Sequence, residues 1–285
     1  MSYLMAAVLG IIQGVAEFLP ISSSGHLTLF QHFFGMPETD NLFNVLLHFA
    51  TLIAVFVYYW SDIWEMITEF FLGIRALFVP QYRSQGEPPA ARRLILLIIV
   101  ATLPLFLVLP IKDYVEQIGN YPAAVSCILL LTGAVLFLSD RMAHGHKTAR
   151  SATLKDALLI GVAQSVATLP GLSRSGSTIA AGMGPAAWTR KFAVRFSFLM
   201  SLPAVLGATS PEGGGRGPGG GRGSVSPAQV SAGHGLRRRV GYFSIGLVNL
   251  LTAKGKFGAF AYYCWGAGAL FLVLSLTGFT LVPAA

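Results

Sequence analysis

Charged residues and cysteines are scarce in this chain of 285 residues: 11% are charged and two are cysteines. A soluble domain carries about 25% charged residues, so an ordinary water-solvated globule is excluded. Cys127 and Cys264 both sit in apolar runs, which suggests neither a disulfide framework nor a thiolate metal site. Acidic residues number 12 against 20 Lys and Arg, a formal charge of +8. Half of that excess comes from one tract, 207–239, with five Arg and one Glu. The charge is therefore no pointer to nucleic acid. The first residues lack a basic stretch followed by a small-residue cleavage site, and are expected to belong to the mature protein. Sustained alternation of apolar and polar residues is also missing, which argues against a transmembrane barrel.

Apolar residues dominate instead, at 54% with a mean hydropathy of +0.64. Helices are the remaining way to satisfy backbone groups within a bilayer. The fold class expected is an all-α integral membrane protein. Apolar runs fall near 4–19, 43–60, 94–111, 122–139, 157–170, 192–209, 240–251 and 258–282. A span needs about 20 residues. The runs at 43–60, 94–111, 122–139, 192–209 and 258–282 meet that length.

The runs at 4–19 and 157–170 lead into two related polar stretches, 151 positions apart. One reads Gln13-Gly-Val-Ala-Glu17-Phe-Leu-Pro20-Ile-Ser22-Ser23-Ser24-Gly25-His26. The other reads Gln164-Ser-Val-Ala-Thr168-Leu-Pro170-Gly-Leu-Ser173-Arg174-Ser175-Gly176-Ser177-Thr178. Gln13 aligns with Gln164, Ser22 with Ser173, Ser24 with Ser175, and Gly25 with Gly176. Each is followed by a second helix-like stretch, 27–36 and 178–189. Broken polar segments at matching places in two halves predict an inverted-topology repeat with two re-entrant helix–loop–helix segments. Repeat one is 1–140 and repeat two is 151–285.

Basic residues set the orientation. Arg75, Arg83, Arg92 and Arg93 precede one span; Arg141, Lys147, Arg150 and Lys155 follow the next. Two spans separate these groups, so both are expected on the cytoplasmic side. By parity the first motif enters from outside and the second from the cytoplasm, to meet near the midplane. The Gly/Arg-rich tract at 207–239 is anomalous, because the run at 240–251 behind it is too short to span, yet parity requires a span there. One account is a helix whose first half was lost to a double frameshift or sequencing error; the other is a genuine flexible external loop.

The two motifs carry a chemical set. Gln13 and Glu17 share a helical face. Pro20 ends that helix, and Ser22, Ser23, Ser24, Gly25 and His26 form a loop suited to cradling phosphate. Arg174 offers a planar fork for phosphate oxygens that keeps its charge. Ser173, Ser175, Ser177 and Thr178 add hydroxyls. Glu17 can hold Mg²⁺ or Ca²⁺, hard cations that prefer oxygen. An unpaired arginine at membrane depth is costly, which marks Arg174 as functional. Plainer readings serve elsewhere: His48 as a packed histidine, His144 and His146 as solvated, and Trp60, Tyr262, Tyr263 and Trp265 as interfacial belts.

These two stretches resemble the signatures of the bacterial undecaprenyl-diphosphate phosphatase family, the BacA-type bacitracin-resistance proteins. Arg195-Phe-Ser-Phe-Leu-Met-Ser-Leu-Pro203-Ala and Phe260-Ala-Tyr-Tyr263 are similar to further family segments. The resemblance covers nearly everything except about 209–239. It implies hydrolysis of undecaprenyl diphosphate to the monophosphate carrier lipid of cell-wall synthesis, and bacitracin resistance. It implies a multi-pass protein of the bacterial plasma (inner) membrane with a site opening to the external face. Carried over by motif, Glu17 is metal ligand or base, with Gln13 beside it as the second metal-binding position. Ser23 stands at the nucleophile position, His26 is general acid/base, and Arg174 clamps phosphate. Ser22, Ser24, Ser173, Ser175 and Thr178 are the expected phosphate hydrogen-bonders. The expected cofactor is a divalent cation, Mg²⁺ or Ca²⁺. Expected partners are the polyprenyl diphosphate lipid, membrane lipids and, in a homodimer, a second copy. A rival reading of the same architecture is a polyprenyl-phosphate flippase or another inverted-repeat transporter.

Overall fold

The computed structural model describes residues 13–34, 51–79, 88–208 and 227–279. Among these, helices make nearly all of the regular structure, and the sole pairing outside them is an isolated bridge between Lys147 and Trp188. Residues 13–18 and 51–58 are helical. The named helices are α1 (Ser23–Phe34), α2 (Trp60–Phe78), α3 (Ala90–Thr102), α4 (Lys112–Gln117), α5 (Pro122–Met142) and α6 (Leu154–Val166). They continue with α7 (Arg174–Met183), α8 (Arg190–Ala208), α9 (Pro227–Ala253) and α10 (Ala259–Leu276). His48 lies outside the described residues, as does part of the expected span at 43–60.

Among the described residues, three helical stretches are long and apolar enough to cross a membrane: Ala90–Asn120, Pro122–Met142 and Ala259–Leu276. Thus the chain is an all-helical membrane protein. The first combines α3 and α4 with 3₁₀ turns at Leu103–Leu107, Leu109–Ile111 and Ile118–Asn120. Pro104 and Pro110 sit in those turns, where the missing N–H interrupts the α-ladder. The stretch around Lys112 to Glu116, between the runs at 94–111 and 122–139, is helical, with Lys112 and Glu116 paired at 3.5 Å.

α5 and α10 form the central pair. Small residues bring them together: a Cβ on Gly133 would lie 2.6 Å from the Trp265 ring, and one on Gly268 would lie 2.9 Å from Leu130. Trp265 Nε1 donates to the Leu130 carbonyl at 3.1 Å, so Trp265 is an interhelical strut rather than a belt residue. Trp60 and Tyr262 are exposed, as a belt requires, and His144 and His146 are exposed too.

One face collects several helix ends. Arg93 at the start of α3 donates to the Ala152 carbonyl at 2.8 Å. Asp140 near the end of α5 accepts from Arg190 of α8 and from the Gly258 N–H before α10. Lys147 bonds Asp156 of α6 at 2.9 Å, while its backbone pairs with Ala187 and Thr189 beyond α7. Lys147 thus ties the start of α6 to the residues that follow α7. Thr153 begins α6 with a capping box: its side chain accepts from Asp156 N–H, and Asp156 accepts from Thr153 N–H.

The 207–239 tract divides differently from the sequence reading. Residues 207 and 208 complete α8, and 227–239 are helical as the first part of α9. The run expected to be only 240–251 is the end of a 27-residue helix.

Candidate functional site

Loop one leaves the helix at 13–18 through Leu19 and Pro20. Ser22 then takes a left-handed conformation, φ 66, uncommon for a residue with a Cβ. Its hydroxyl accepts from Gly25 N–H at 3.2 Å, which caps the first turn of α1. This turn places Ser23 against Glu17: Ser23 Oγ donates to Glu17 Oε2 at 2.6 Å. The other carboxylate oxygen, Oε1, accepts from Arg174 Nη2 at 2.6 Å. The Glu17 side chain is 9% exposed and that of Arg174 is 31% exposed, so this is a shielded pair beside an open side.

His26 is buried, and both ring nitrogens are engaged. Nδ1 lies 2.8 Å from the Ser22 carbonyl, which can only accept, so Nδ1 carries a proton. In the neutral ring Nε2 is then the acceptor, and the Tyr263 hydroxyl donates to it at 2.9 Å. The two rings stack, with centroids 5.5 Å apart and an interplanar angle of 17°. Tyr263, itself exposed as a belt residue is, is therefore also tied to the site through His26.

Loop two is held by α5. Thr132 Oγ1 donates to the Gly171 carbonyl at 2.9 Å and accepts from Ser173 N–H at 3.3 Å. Ser173 Oγ accepts from Gly176 N–H at 3.1 Å and caps α7. This repeats the Ser22–Gly25 cap at matched positions. Thr178 Oγ1 donates to the Arg174 carbonyl at 2.9 Å and shares a 2.6 Å hydrogen bond with Ser197 of α8. Arg174 is the first residue of α7. The positive end of the helix dipole there disfavours a cation and favours an anion. The Glu17 carboxylate fills that anionic role.

The two loops touch through glycine. A Cβ on Gly25 would lie 2.7 Å from Gly171 Cα, so only a bare backbone fits. A small cleft lies at the Glu17–Arg174 pair. Its polar lining is Glu17, Arg174, Ser175, Ser197, Ser201 and Thr51, and its apolar walls include Phe18, Leu52, Val55 and Phe198.

The structure thus brings Glu17, Ser23, Arg174 and Ser175 together, with His26 adjoining through the Ser22 carbonyl. The hydrogen bond of Ser23 goes to Glu17, not to His26. Ser22 and Ser173 spend their hydroxyls on helix caps, and Thr178 spends its own on α7 and α8. Ser24 is exposed and does not line the cleft. Gln13 is half-buried on the helical stretch that carries Glu17. Sequence reasoning missed Ser197, Ser201, Thr132 and Tyr263. The four-residue spacing of Ser197 and Ser201, one helical face, was the available signal for that pair.

Among the described residues, no three of His, Cys, Asp and Glu converge on a metal-binding group. The site offers one carboxylate, whose Oε1 accepts from Arg174 and whose Oε2 accepts from Ser23. That donor set fits a hard cation only if substrate phosphate oxygens complete the coordination, a common arrangement for Mg²⁺.

Membrane-length helices around a shielded carboxylate, hydroxyl and guanidinium define a polytopic membrane protein with an internal polar site. The family model described as "Bacitracin resistance protein BacA" matches residues 6–270. The chain belongs to that family. It is 38% identical to the undecaprenyl-diphosphatase of Methanosphaera stadtmanae, over 96% of this chain and 98% of the relative. It is 39% identical to that of Syntrophotalea carbinolica, over 96% and 100%. Against that of Alkaliphilus metalliredigens it is 37% identical, over 97% and 100%.

Proposed function

We propose that this chain hydrolyses undecaprenyl diphosphate to undecaprenyl phosphate and inorganic phosphate, the activity for which its relatives are named. The observation that carries the reading is the contact of Ser23 and Arg174 with the two oxygens of Glu17, at 2.6 Å each. Nucleophile, base and phosphate clamp are within reach of one another beside an apolar-walled cleft. The terminal phosphate takes the guanidinium of Arg174 in place of Glu17. Ser23 Oγ attacks the terminal phosphorus as its proton passes to Glu17 Oε2. The bond from that phosphorus to the bridging oxygen breaks, and undecaprenyl phosphate leaves with the electron pair. Water then attacks the phosphoserine, the P–Oγ bond breaks, Glu17 returns its proton to Ser23 Oγ, and phosphate departs. The departing phosphate keeps the protons of that water, and His26, with both ring nitrogens engaged, holds the Ser22–Ser23 peptide rather than serving as the expected acid/base. Arg174 and the N-terminus of α7 stabilise charge on the transferring group.

Gln13 and Glu17 would hold a divalent cation together with substrate phosphates, and the cation would supply Lewis-acid stabilisation of those oxygens. The α6–α7 hairpin is re-entrant in this reading. At 13 and 10 residues, its helices are too short for a bilayer core of about 30 Å. The capped serines at matched positions support an inverted repeat of 1–140 and 151–285. The site faces the exterior of the plasma membrane, where hydrolysis recycles the wall-synthesis carrier and counters bacitracin; homodimerisation belongs to the same reading.

The test is phosphate release from undecaprenyl diphosphate by the purified chain in detergent. Turnover is expected, lost on chelation and restored by Mg²⁺ or Ca²⁺. A folded, metal-supplied protein that releases no phosphate overturns the reading, and lipid translocation by that protein would favour the flippase. Turnover that persists through chelation removes the metal from it.

A further inference from the structure

α10 reaches the reactive loop at two adjacent residues. Tyr263 donates to His26 Nε2, and Cys264 Sγ lies 3.8 Å from the Pro20 carbonyl. Beyond them Phe271 stacks on Phe33 with centroids 5.6 Å apart, so side chains of α10 meet α1 near both of its ends. His26 Nδ1 in turn donates to the carbonyl of Ser22, the residue with φ 66. Hydrogen bonds therefore run from the Tyr263 hydroxyl through the imidazole to the peptide that joins Ser22 to Ser23. A left-handed non-glycine residue persists only where its surroundings over-determine it. From the carbonyl side this one is held by the imidazole together with the His26 backbone N–H, at 3.1 Å. The imidazole is itself held by stacking and by its second hydrogen bond, both from Tyr263.

We propose that Tyr263 is a positioning residue of the reaction. Its hydroxyl fixes the orientation and Nδ1–H tautomer of His26, and so holds the Ser22–Ser23 peptide that presents Ser23 to Glu17. It touches neither the reacting phosphate nor Ser23. This rests on the hydrolase reading above for its kinetic consequences, but the contact itself does not. An aromatic ring alone preserves the stacking, so Tyr263→Phe isolates the hydroxyl. Tyr262→Phe is the matched control, since Tyr262 is on the same helix with its ring against Phe137 and Trp265 rather than His26.

Two measurements test it. The first is ¹⁵N NMR of histidine-labelled protein, with His26 assigned by its absence from His26→Ala. Tyr263→Phe is expected to move the His26 Nε2 signal and leave the other histidines in place; Tyr262→Phe is expected to move none. An unchanged Nε2 signal overturns the proposal whether or not the chain hydrolyses anything. The second is kinetics. Tyr263→Phe is expected to lower kcat about 10- to 100-fold, as loss of a histidine's orienting partner does, with KM within about twofold. In a His26→Ala background the same substitution is expected to cost nothing further. Full kcat in Tyr263→Phe, or an undiminished loss in the His26→Ala background, overturns it. A moved NMR signal in a wild-type protein that releases no phosphate leaves the contact standing and removes the hydrolase reading instead.

Discussion

Loop one enters α1 through Ser22 at φ 66, while loop two enters α7 through Ser173 at φ −72. The left-handed residue of loop two is Gly171, two positions earlier, at φ 98. Both loops end in the same serine cap on a glycine N–H three residues on. They differ in where the turn is made and at what cost. Glycine makes the turn of loop two without a Cβ penalty, packed so closely on α5 that a Cβ would lie 2.6 Å from the Val125 carbonyl. Loop one places the turn on a residue with a side chain, immediately before Ser23. The left-handed turn thus adjoins the proposed nucleophile in loop one, while in loop two it stands three residues before Arg174. The matched glutamines differ similarly. Gln13 is half-buried, whereas Gln164 is 1% exposed with neither amide atom partnered among the described residues.

Removing the link between the loops should have the largest effect. Glu17→Ala and Arg174→Ala are each expected to lower kcat/KM by about 1,000-fold, measured as phosphate release. Arg174→Lys should recover little, because a point charge does not reproduce the planar fork. Loss from one substitution but not the other would mean the loops do not act as a unit. Within loop one, Ser23→Ala should lower kcat at least about 100-fold, while the exposed Ser24 can become Ala with under about twofold change. Full turnover by Ser23→Ala would shift the chemistry to an activated water.

The loop contact itself is tested by stability. Gly171→Ala and Gly25→Ala should each destabilise by about 2 kcal/mol or more, the first by strain and overlap, the second by overlap with backbone. Thermal unfolding in detergent reads this, and an unchanged Tm for Gly25→Ala would dissolve the contact. A smaller effect of opposite sign is expected at Gln164. Gln164→Leu removes an unsatisfied buried amide and should stabilise by about 1 kcal/mol. Gln13→Leu should instead act on metal-dependent turnover.

The smallest effect concerns Asp156, at the edge of the α6–α7 hairpin. Burial alone would raise its pKa, but hydrogen bonds from Thr153 and the bond and charge of Lys147 hold it below the usual carboxylate value. A lowered folded-state pKa gives stability that is present above the unfolded pKa and lost as pH falls through the folded one. The Tm difference between wild type and Asp156→Asn should therefore be constant near neutral pH and shrink below about pH 4. A difference that grows on acidification would contradict the pairing.

Much of this was legible in the chain. The apolar runs at 94–111, 122–139 and 258–282 coincide with the membrane-length helices, because hydrophobic length needs no partner to be recognised. The caps by Ser22 and Ser173 lie within the quoted motifs, because a cap is a contact over three residues. Tyr263 was read as a belt residue because a tyrosine near a helix end fits that role equally well. Helix α9 was underestimated because its first half is polar.

The sequence by itself determined the class of molecule, the two loops and the residue types they carry, since hydropathy, proline, glycine and capping act over one or two turns. Only the tertiary structure decided that Arg174 meets Glu17 across 157 positions and that Tyr263 meets His26 across 237. It also decided that Ser23 points to a carboxylate and not to an imidazole. Those contacts depend on how closely α5 and α10 approach, and that distance is set by side chains far apart in the chain fitting one another.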